Sequence, residues 1–334
     1  MSAFLVCGVA GPVLDEEERR LLSRLRPGGI VLFARNVSSV EQLRSLVGEL
    51  RGLAGEPYVA IDLEGGAVNR LKPLIGELPS AARAVAAGRE AVSALGRAAG
   101  AACAHLGIGV DFAPVLDSAC SEGWLAGEQR CFGADHVEVC ANAACFLDAL
   151  EAFGVSACLK HYPGLGSGGV DSHQDLPILD DRVREDAEAF HALATPDRAV
   201  MVAHAIAPAL GEGLAPASLS AAVVGPLRGR PCGPILADDL GMGALAAYGS
   251  LSERAAAALL AGCDQVLLCN ALEAREEVVR YIEEWAERDL RLAAATRRAD
   301  ARLASFGRRE LAPVAWEWVL DLAEEARRLT GTEA

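Results

Sequence analysis

Positive charge is scarce in this 334-residue sequence, and lysine is scarcer still. Lysine and arginine together number 31 against 46 aspartates and glutamates, which gives a formal net charge of −15. Such a chain repels the phosphates of nucleic acids and anionic membrane surfaces, so neither is an expected partner and a small ligand is favoured. Only Lys72 and Lys160 are lysines. A lysine against this background indicates a position that needs a compact ammonium group.

The sequence also lacks the spacings that mark disulfide or redox cysteines. Ten cysteines are present, but no two form a C-x-x-C pair, and most lie in apolar runs, as Cys7, Cys103 and Cys158 do. They are therefore interpreted as buried thiols in a reducing compartment. The N-terminal run AFLVCGVAGPVL is too short to span a bilayer, and no basic residue precedes it, which argues against a signal peptide. We expect a cytoplasmic protein.

Motifs for metals and nucleotides are missing as well. The chain contains no H-x-H, no H-E-x-x-H and no clustered Cys/His spacing, and it has no Walker phosphate-binding loop. No metal and no organic cofactor are predicted.

The order of apolar runs and amphipathic stretches predicts the fold. The chain is 52% hydrophobic with a mean hydropathy of +0.24, and it has neither internal repeats nor low-complexity linkers. Eight short apolar runs read as strands: 4–10, 29–34, 58–63, 109–115, 155–160, 199–205, 233–237 and 265–269. Most are separated by amphipathic stretches such as DEEERRLLSRL, and continuous apolar strands are typical of a parallel sheet covered on both faces. We predict an α/β protein, a single-domain (β/α)8 TIM-type barrel over residues 1–280, with C-terminal helices over 281–334 packed on it.

Polar residues follow the predicted strands, at the rim where barrel enzymes place their active sites. These residues are Asn36, Asp62, Glu64, Asp117, His161, His204, Asp238 and Asn270. Distant parts of the chain would therefore converge on one site.

The run KHYPGLGSGGVDSH, residues 160–173, holds one lysine, two histidines, one aspartate and four glycines. Asp171 is close enough to His173 to orient its imidazole, and a histidine can give and take a proton near neutral pH. The glycines would let the loop carry His173 in and out of a site. An isolated D-S-H is more often a solvated surface turn, but Lys160 and His161 at the strand end favour a functional site.

Two further segments contain candidate groups. In IDLEGGAVNR, Asp62 and Glu64 end a strand and Arg70 follows, a set that can grip vicinal hydroxyls or, equally, begin a capped helix. In GPILADDLGMGAL, Asp238 and Asp239 end a strand, and one of the two would face the barrel mouth. An aspartate pair is also a common helix cap.

Eight segments, in this order and spacing, resemble the β-N-acetylglucosaminidase branch of glycoside hydrolase family 3. They are GGIVLFARN, IDLEGGAVNRL, DFAPVLD, RCFG, KHYPGLGSGGVDSHQDLP, MVAHAIAPA, PASLS and ADDLGMGAL. The resemblance implies that Asp238 is the nucleophile and that His173 is the general acid/base, held by Asp171. The residues it implies near the terminal sugar are Asp62, Arg70, Arg130, Lys160, His161 and His204. Without this context, Arg130 would be interpreted as a surface charge and His204 as a core histidine.

The chain departs from the family pattern at a few positions. The family usually reads D-Q-E-G-G-R where this chain has Leu63 and Ala67, RCFGADH lacks the common D-P, and Leu165 stands where many members have histidine. No proposed catalytic group is lost, but the contacts to substrate are expected to differ around Leu63 and Ala67.

The predicted activity is that of a retaining exo-β-N-acetylglucosaminidase that trims terminal GlcNAc from cell-wall fragments through a covalent glycosyl-enzyme. Glucosidase relatives generally recruit a carboxylate acid from a second domain, for which this chain has no room. Two alternatives remain. One is a phosphorylase, because a neutral histidine repels phosphate less than a carboxylate does. The other is a sugar-binding barrel weakened in turnover. The expected partner is a small carbohydrate, and the expected state is a monomer or weak homodimer.

Overall fold

The computed structural model describes residues 2–120, 123–171, 175–211, 213–303 and 306–333. Within these ranges the chain forms ten β-strands and thirteen α-helices. The strands are β1 (Ser2–Cys7), β2 (Pro27–Leu32), β3 (Tyr58–Ile61), β4 (Leu63–Gly65), β5 (Val68–Asn69), β6 (Val110–Asp111), β7 (Ser156–Tyr162), β8 (Ala199–Val202), β9 (Ile235–Asp239) and β10 (Gln265–Leu268). The helices are α1 (Glu16–Leu25), α2 (Val40–Arg51), α3 (Lys72–Ile75), α4 (Ala81–Ala87), α5 (Arg89–Leu106), α6 (Trp124–Gly127), α7 (His136–Glu151), α8 (Val183–Leu193), α9 (Ala221–Arg228), α10 (Leu251–Ala261), α11 (Arg275–Ala286), α12 (Leu290–Arg302) and α13 (Trp316–Thr330).

Eight of the strands close into a parallel barrel. Their order around it is β1, β2, β3, β6, β7, β8, β9 and β10, and β10 pairs with β1 to complete the ring. Each coincides with one of the eight strands predicted from the sequence, so the (β/α)8 fold class is confirmed. The barrel strands are buried along almost their whole length, as expected when side chains fill the interior and helices cover the outside.

The helices begin and end at identifiable sequence signals, as α1 shows. The side chain of Asp15 accepts a hydrogen bond from the Glu18 backbone N–H at 2.7 Å, which satisfies one free donor of the first turn. Leu22 and Leu25 are buried toward the barrel. The helix stops at Arg26, whose φ of 51° lies in the left-handed region.

Strand β6 is much shorter than the predicted run 109–115, and Pro114 accounts for the difference. Proline has no N–H to donate to a neighbouring strand. The chain nevertheless continues alongside β7, because the carbonyls of Ala113 and Pro114 accept hydrogen bonds from the backbone N–H groups of Cys158 and Lys160, each at 3.2 Å.

A small hairpin that the sequence pattern did not predict follows β3. Strands β4 and β5 pair antiparallel and lie outside the barrel sheet. Gly65 and Gly66 turn the chain between them with φ of 87° and 56°. A Cβ on Gly65 would lie 2.2 Å from the Pro79 carbonyl oxygen, so both conformation and close approach require glycine there.

The C-terminal helices pack on the barrel's outer layer. Helix α13 lies against α5 and α4, and it buries Val319, Leu322, Ala323 and Ala326. The predicted boundary between residues 280 and 281 falls inside α11, and the division into a barrel and a C-terminal part stays a prediction. All ten cysteines are unbridged, and nine of them are buried. In the part of the chain that the structure describes, no helix combines the length and apolar composition that a membrane span requires.

Candidate active site

A cavity of about 410 Å³ opens at the carboxyl ends of the barrel strands. Its floor consists of barrel side chains from several strands, including Val31, Met201 and Leu267. Its lining includes seven of the nine predicted site residues: Asp62, Arg70, Arg130, Lys160, His161, Asp171 and Asp238. The rim predicted from the residues after the strands is therefore also the mouth of a pocket.

A buried network of charges occupies one side of this cavity. Lys160, at the end of β7, places its Nζ 2.7 Å from Asp62 Oδ1 and 2.5 Å from Glu64 Oε1. Arg130 donates from Nε and Nη2 to the two oxygens of Glu64, at 2.8 and 2.9 Å. The two cations and two carboxylates thus hold one another, and Glu64 acts as the link between them.

Mutual attraction in this network outweighs the cost of burial. Burial opposes ionisation of Glu64, but the charges of Lys160 and Arg130 lower its pKa to about 2. Burial likewise opposes the charge on Lys160, yet Asp62 and Glu64 raise its pKa above the usual value. Glu64, Lys160 and Arg130 therefore stay charged across the neutral pH range, and the network offers fixed donors and acceptors to a polar ligand.

His161 is oriented by a carboxylate behind it. Asp117, fully buried, lies with Oδ2 2.7 Å from His161 Nδ1, and its Oδ1 accepts the backbone N–H of Leu165 at 2.5 Å. Because an ionised carboxylate can only accept, His161 donates from Nδ1. The orientation of the ring is thereby fixed, and His161 lines the cavity.

The two aspartates that end β9 have different surroundings. Asp239 is buried, and its Oδ1 accepts the backbone N–H groups of Gly241 and Cys269 at 3.1 and 3.2 Å. Burial raises the pKa of its carboxyl group. Asp238 is only half-buried and accepts from the backbone N–H of Asp239 at 2.8 Å. Asp239 therefore supports the loops around β9 and β10, whereas Asp238 is the more accessible carboxylate.

His204 follows β8 and is not among the residues that line the cavity, and its place among the sugar-binding residues stays a prediction. It is fully buried, with Nδ1 2.7 Å from Ser218 Oγ and Nε2 3.0 Å from the Asp239 carbonyl oxygen. Burial lowers its pKa. The neutral ring donates from Nε2 to this carbonyl and accepts at Nδ1 from the Ser218 hydroxyl. Both nitrogens are thus engaged, and His204 supports the strand that carries Asp238.

The loop after β7 brings Asp171 to the cavity. The predicted acid/base His173 lies outside the described residues. Packing also requires glycine at two positions of this loop, in addition to the predicted freedom of movement. A Cβ on Gly164 would lie 2.4 Å from the Asp186 Cβ, and one on Gly166 would lie 2.0 Å from the Ser118 carbonyl oxygen. Side chains at these two positions would collide with the neighbouring loops.

Arg70 and Ala67 form the part of the lining that comes from the hairpin. The Nη2 of Arg70 lies 3.9 Å from Asp62 Oδ2, and its guanidinium lies 5.9 Å from the centre of the Phe33 ring. Its Nε is buried and has no hydrogen-bond partner among the described residues. Of the departures from the family pattern, Leu63 is fully buried away from the cavity, whereas Ala67 and Leu165 are part of its lining.

Several residues around the site were not predicted as site residues. Trp124 and Phe33 line the cavity, and the Arg130 guanidinium lies 5.6 Å from the centre of the Trp124 ring. Sequence reasoning missed Trp124 because it sits on a one-turn helix with no periodic signal. Asp111 is also fully buried close to the charge network. In the described ranges, no group of three or more His, Cys, Asp or Glu side chains is arranged to hold a metal ion.

Asp111 forms no ion pair with a lysine, arginine or histidine of the described residues. Its Oδ1 accepts the Leu63 backbone N–H at 2.9 Å, and its Oδ2 has no partner among the described residues. Burial raises its pKa to about 8, against the opposing effects of the Leu63 N–H and the charge of Lys160. The neutral acid is therefore the form that the fold favours at neutral pH.

We expect Asp111→Asn, which mimics the neutral acid, to remove one source of pH dependence from stability. Between about pH 4 and about pH 8 the folded chain holds one more proton than the unfolded chain at this group. Raising the pH through this window therefore lowers the free energy of unfolding of the unsubstituted protein, by up to about 1.4 kcal/mol per pH unit from this group alone. The free energy of unfolding of Asp111→Asn should therefore increase relative to that of the unsubstituted protein as the pH rises.

Urea unfolding at pH 5, 7 and 9 measures this difference. The matched control is Asp148→Asn, which changes an exposed carboxylate on α7 and should leave the pH profile of stability unchanged. If the free energies of unfolding of Asp111→Asn and the unsubstituted protein change in parallel with pH, Asp111 does not have the raised pKa assigned to it.

Comparison with known proteins places these features in a family. The model of the glycosyl hydrolase family 3 N-terminal domain matches residues 6–301. A β-hexosaminidase from Alkalilimnicola ehrlichii is 37% identical, covering 83% of this chain and 84% of that protein. A β-hexosaminidase from Idiomarina loihiensis is 35% identical, covering 80% of this chain and 84% of that protein. Among solved structures, native NagZ from Neisseria gonorrhoeae superposes with a TM-score of 0.78 at 27% identity, over 99% of this chain and 98% of that one.

Proposed function

Because this chain belongs to glycoside hydrolase family 3 and is a glycoside hydrolase, we propose that it is a retaining exo-β-N-acetylglucosaminidase. The names of its relatives, β-hexosaminidases at 35–37% identity, support this substrate class. The proposed substrates are glycosides with a terminal GlcNAc, such as muropeptide fragments of the cell wall. The proposed setting is the cytoplasm, where such fragments would be recycled.

The observation that carries the proposal is that Asp238 lines the same pocket as the charged network around Lys160. The pocket ends on packed barrel side chains such as Met201 and Leu267, so it accommodates the end of a glycan rather than its middle. Asp62, Arg70 and His161 line its wall and would bind the hydroxyls of that terminal sugar through charge-assisted hydrogen bonds. A fixed polar wall opposite an accessible carboxylate is what a glycosidase needs.

Asp238 is the proposed nucleophile. Burial raises the pKa of the Asp239 carboxyl group, against the lowering effect of the two backbone N–H groups that its Oδ1 accepts, and this disfavours the ionised form that attacks. Asp238 is more exposed and lines the pocket. Attack of its carboxylate on the anomeric carbon would break the glycosidic bond and form a glycosyl ester.

The proton transfers are assigned to His173, with Asp171 as its orienting carboxylate. In the first step the imidazolium of His173 gives its proton to the departing glycosidic oxygen. In the second step the neutral imidazole takes a proton from water, whose oxygen attacks the anomeric carbon and releases Asp238. Asp171 lies at the cavity, where its charge would keep the imidazole basic enough for the second step.

We expect Lys160→Arg to lower kcat/KM by roughly 10²-fold, because a small misplacement at a substrate-binding group has effects of this size. The compact ammonium of Lys160 contacts both Asp62 and Glu64 in a buried position, whereas a guanidinium is longer and forked. Steady-state kinetics on a chromogenic GlcNAc glycoside measure the change.

The matched control is Lys72→Arg, the same substitution at the chain's other lysine. Lys72 is exposed and pairs with Glu77 outside the cavity, so this variant should keep full activity. An unchanged kcat/KM in Lys160→Arg would remove Lys160 from the site.

The proposed activity is tested by incubating the protein with 4-nitrophenyl β-GlcNAc, with and without inorganic phosphate. Release of free GlcNAc in both conditions supports hydrolysis. Formation of GlcNAc-1-phosphate would show a phosphorylase, and binding of GlcNAc without turnover would show a sugar-binding barrel. A disaccharide of GlcNAc linked β-1,4 to N-acetylmuramic acid tests the cell-wall substrate in the same way.

A further inference from the structure

The last helix of the chain contacts the segment that follows the active-site hairpin. Arg327 on α13 donates from Nη1 to the backbone carbonyls of Ile75 and Glu77, at 2.8 and 3.0 Å. Its side chain is only 11% exposed, and its Nε donates to Glu324 at 3.0 Å. The guanidinium is therefore held in place on its own helix while it binds two carbonyls of another segment.

The segment bound by Arg327 is in turn fastened to the hairpin. Asn69 of β5 donates from Nδ2 to the Gly76 carbonyl at 2.9 Å. Gly66, at the hairpin turn, donates from its backbone N–H to the Leu78 carbonyl at 3.0 Å. Gly65 approaches Pro79 so closely that it admits no Cβ. Three contacts thus join residues 76–79 to both strands of the hairpin and its turn.

The hairpin carries groups of the proposed sugar site. Glu64 lies in β4, Ala67 lies in the turn, and Arg70 directly follows β5. Glu64 binds Lys160 and Arg130, and Arg70 approaches Asp62. A displacement of the hairpin would therefore move donors on the wall of the pocket.

We propose that Arg327 is a positioning residue for substrate binding, which acts by holding residues 75–79 against the hairpin. The inference rests on the proposed function for the identity of the substrate. Through Arg327, the C-terminal helix α13 contributes to substrate binding.

The position of the hairpin in the barrel predicts which kinetic constant changes. The hairpin follows β3, whose neighbours are β2 and β6, whereas Asp238 lies on β9 between β8 and β10. Arg327 therefore supports the sugar-binding wall, on the opposite side of the barrel from the strand that carries the nucleophile. Loss of such support weakens binding of the ground state and the transition state alike, so KM rises while kcat stays nearly constant.

The variant Arg327→Met keeps the length of the apolar stem and removes the donors. We expect a rise in KM of roughly 2- to 30-fold, the range found for residues that act through a contact network, with kcat changed less than two-fold. Arg327→Lys should recover part of the loss, because an ammonium can still donate to both carbonyls. In an Arg70→Gln background the same Arg327→Met change should lower kcat/KM much less.

Two control variants separate positioning from simple loss of stability. Arg328→Met removes the same charge from an exposed neighbour on α13. Glu325→Gln removes the ion pair with Arg97 at 3.0 Å, which docks α13 on α5 without touching residues 75–79. Both should keep the KM of the unsubstituted protein, even if Glu325→Gln melts at a lower temperature.

Hydrogen exchange of the peptide covering residues 62–71 provides a readout independent of substrate. It should speed up in Arg327→Met and in neither control. Unchanged exchange, or an unchanged KM in a variant with lowered melting temperature, would overturn the inference. If the unsubstituted protein fails to cleave the GlcNAc glycoside, the proposed function is wrong, and the exchange of residues 62–71 alone decides on Arg327.

Discussion

Asp238→Ala should lower kcat on the order of 10⁴-fold or more, as happens when other enzymes that form covalent intermediates lose a central catalytic group. The physical reason is that no other accessible carboxylate at the end of β9 can form the glycosyl ester. Asp239 is buried and holds two backbone N–H groups. The fold should survive the change, because the Asp238 side chain is only half-buried and lines the pocket at the end of β9 rather than packing in the core.

Trapping with a 2-acetamido-5-fluoro glycoside identifies the nucleophile directly. The label should appear on Asp238 in a peptide map, and label on Asp239 would refute the assignment. Asp239→Ala is the matched control for structure. It should cost stability, about 1–3 kcal/mol for lost buried hydrogen bonds, which thermal unfolding measures, while Asp238→Ala should melt close to the unsubstituted protein.

His173→Ala should have effects that depend on the leaving group. A sugar leaving group needs its oxygen protonated as the bond breaks, whereas a dinitrophenolate leaves with little help. General acid/base assistance is worth roughly 10²–10⁴-fold in rate, so cleavage of a GlcNAc disaccharide should fall by about that factor. Glycosylation by a dinitrophenyl GlcNAc should fall far less, and deglycosylation should become rate-limiting because nothing activates water.

Azide tests this interpretation of His173. As a small anion that needs no deprotonation, it should accelerate turnover of the dinitrophenyl substrate by His173→Ala and give a β-glycosyl azide. The unsubstituted protein should not respond to azide. Asp171→Ala should show the same dependence on leaving group and azide as His173→Ala, but more weakly, because the His173 imidazole remains and is only less well oriented. Equal slowing of both substrates with no azide product would leave the loop after β7 with a binding role alone.

The sequence was sufficient to predict the barrel and the rim on which the site lies. Its strands are continuous apolar runs, and a parallel sheet covered on both faces requires such runs. The polar residues directly after them had to meet at one end of the barrel, because all eight strands are parallel. Asp62, Lys160, His161 and Asp238 could therefore be assigned to one cavity from their places after strands.

Tertiary structure decided which of these groups contact each other and which face the cavity. Glu64 links Lys160 to Arg130, a contact between chain segments 66 to 96 residues apart that no local pattern encodes. His204 follows a strand as His161 does, yet it hydrogen-bonds Ser218 and the Asp239 carbonyl and is not part of the cavity lining, because the tilt and stagger of barrel strands decide which side chain reaches the mouth.

The sequence by itself thus determined the fold class, the family and the candidate groups at the strand ends, because these depend on local periodicity and on motifs within short segments. Only the tertiary structure decided the protonation of Asp111, the support given by Asp239 and the contact of Arg327 with residues 75–77, which lies about 250 residues away along the chain. Burial, the field of neighbouring charges and the close approach of backbones depend on all the surrounding elements at once. A linear pattern contains none of these quantities.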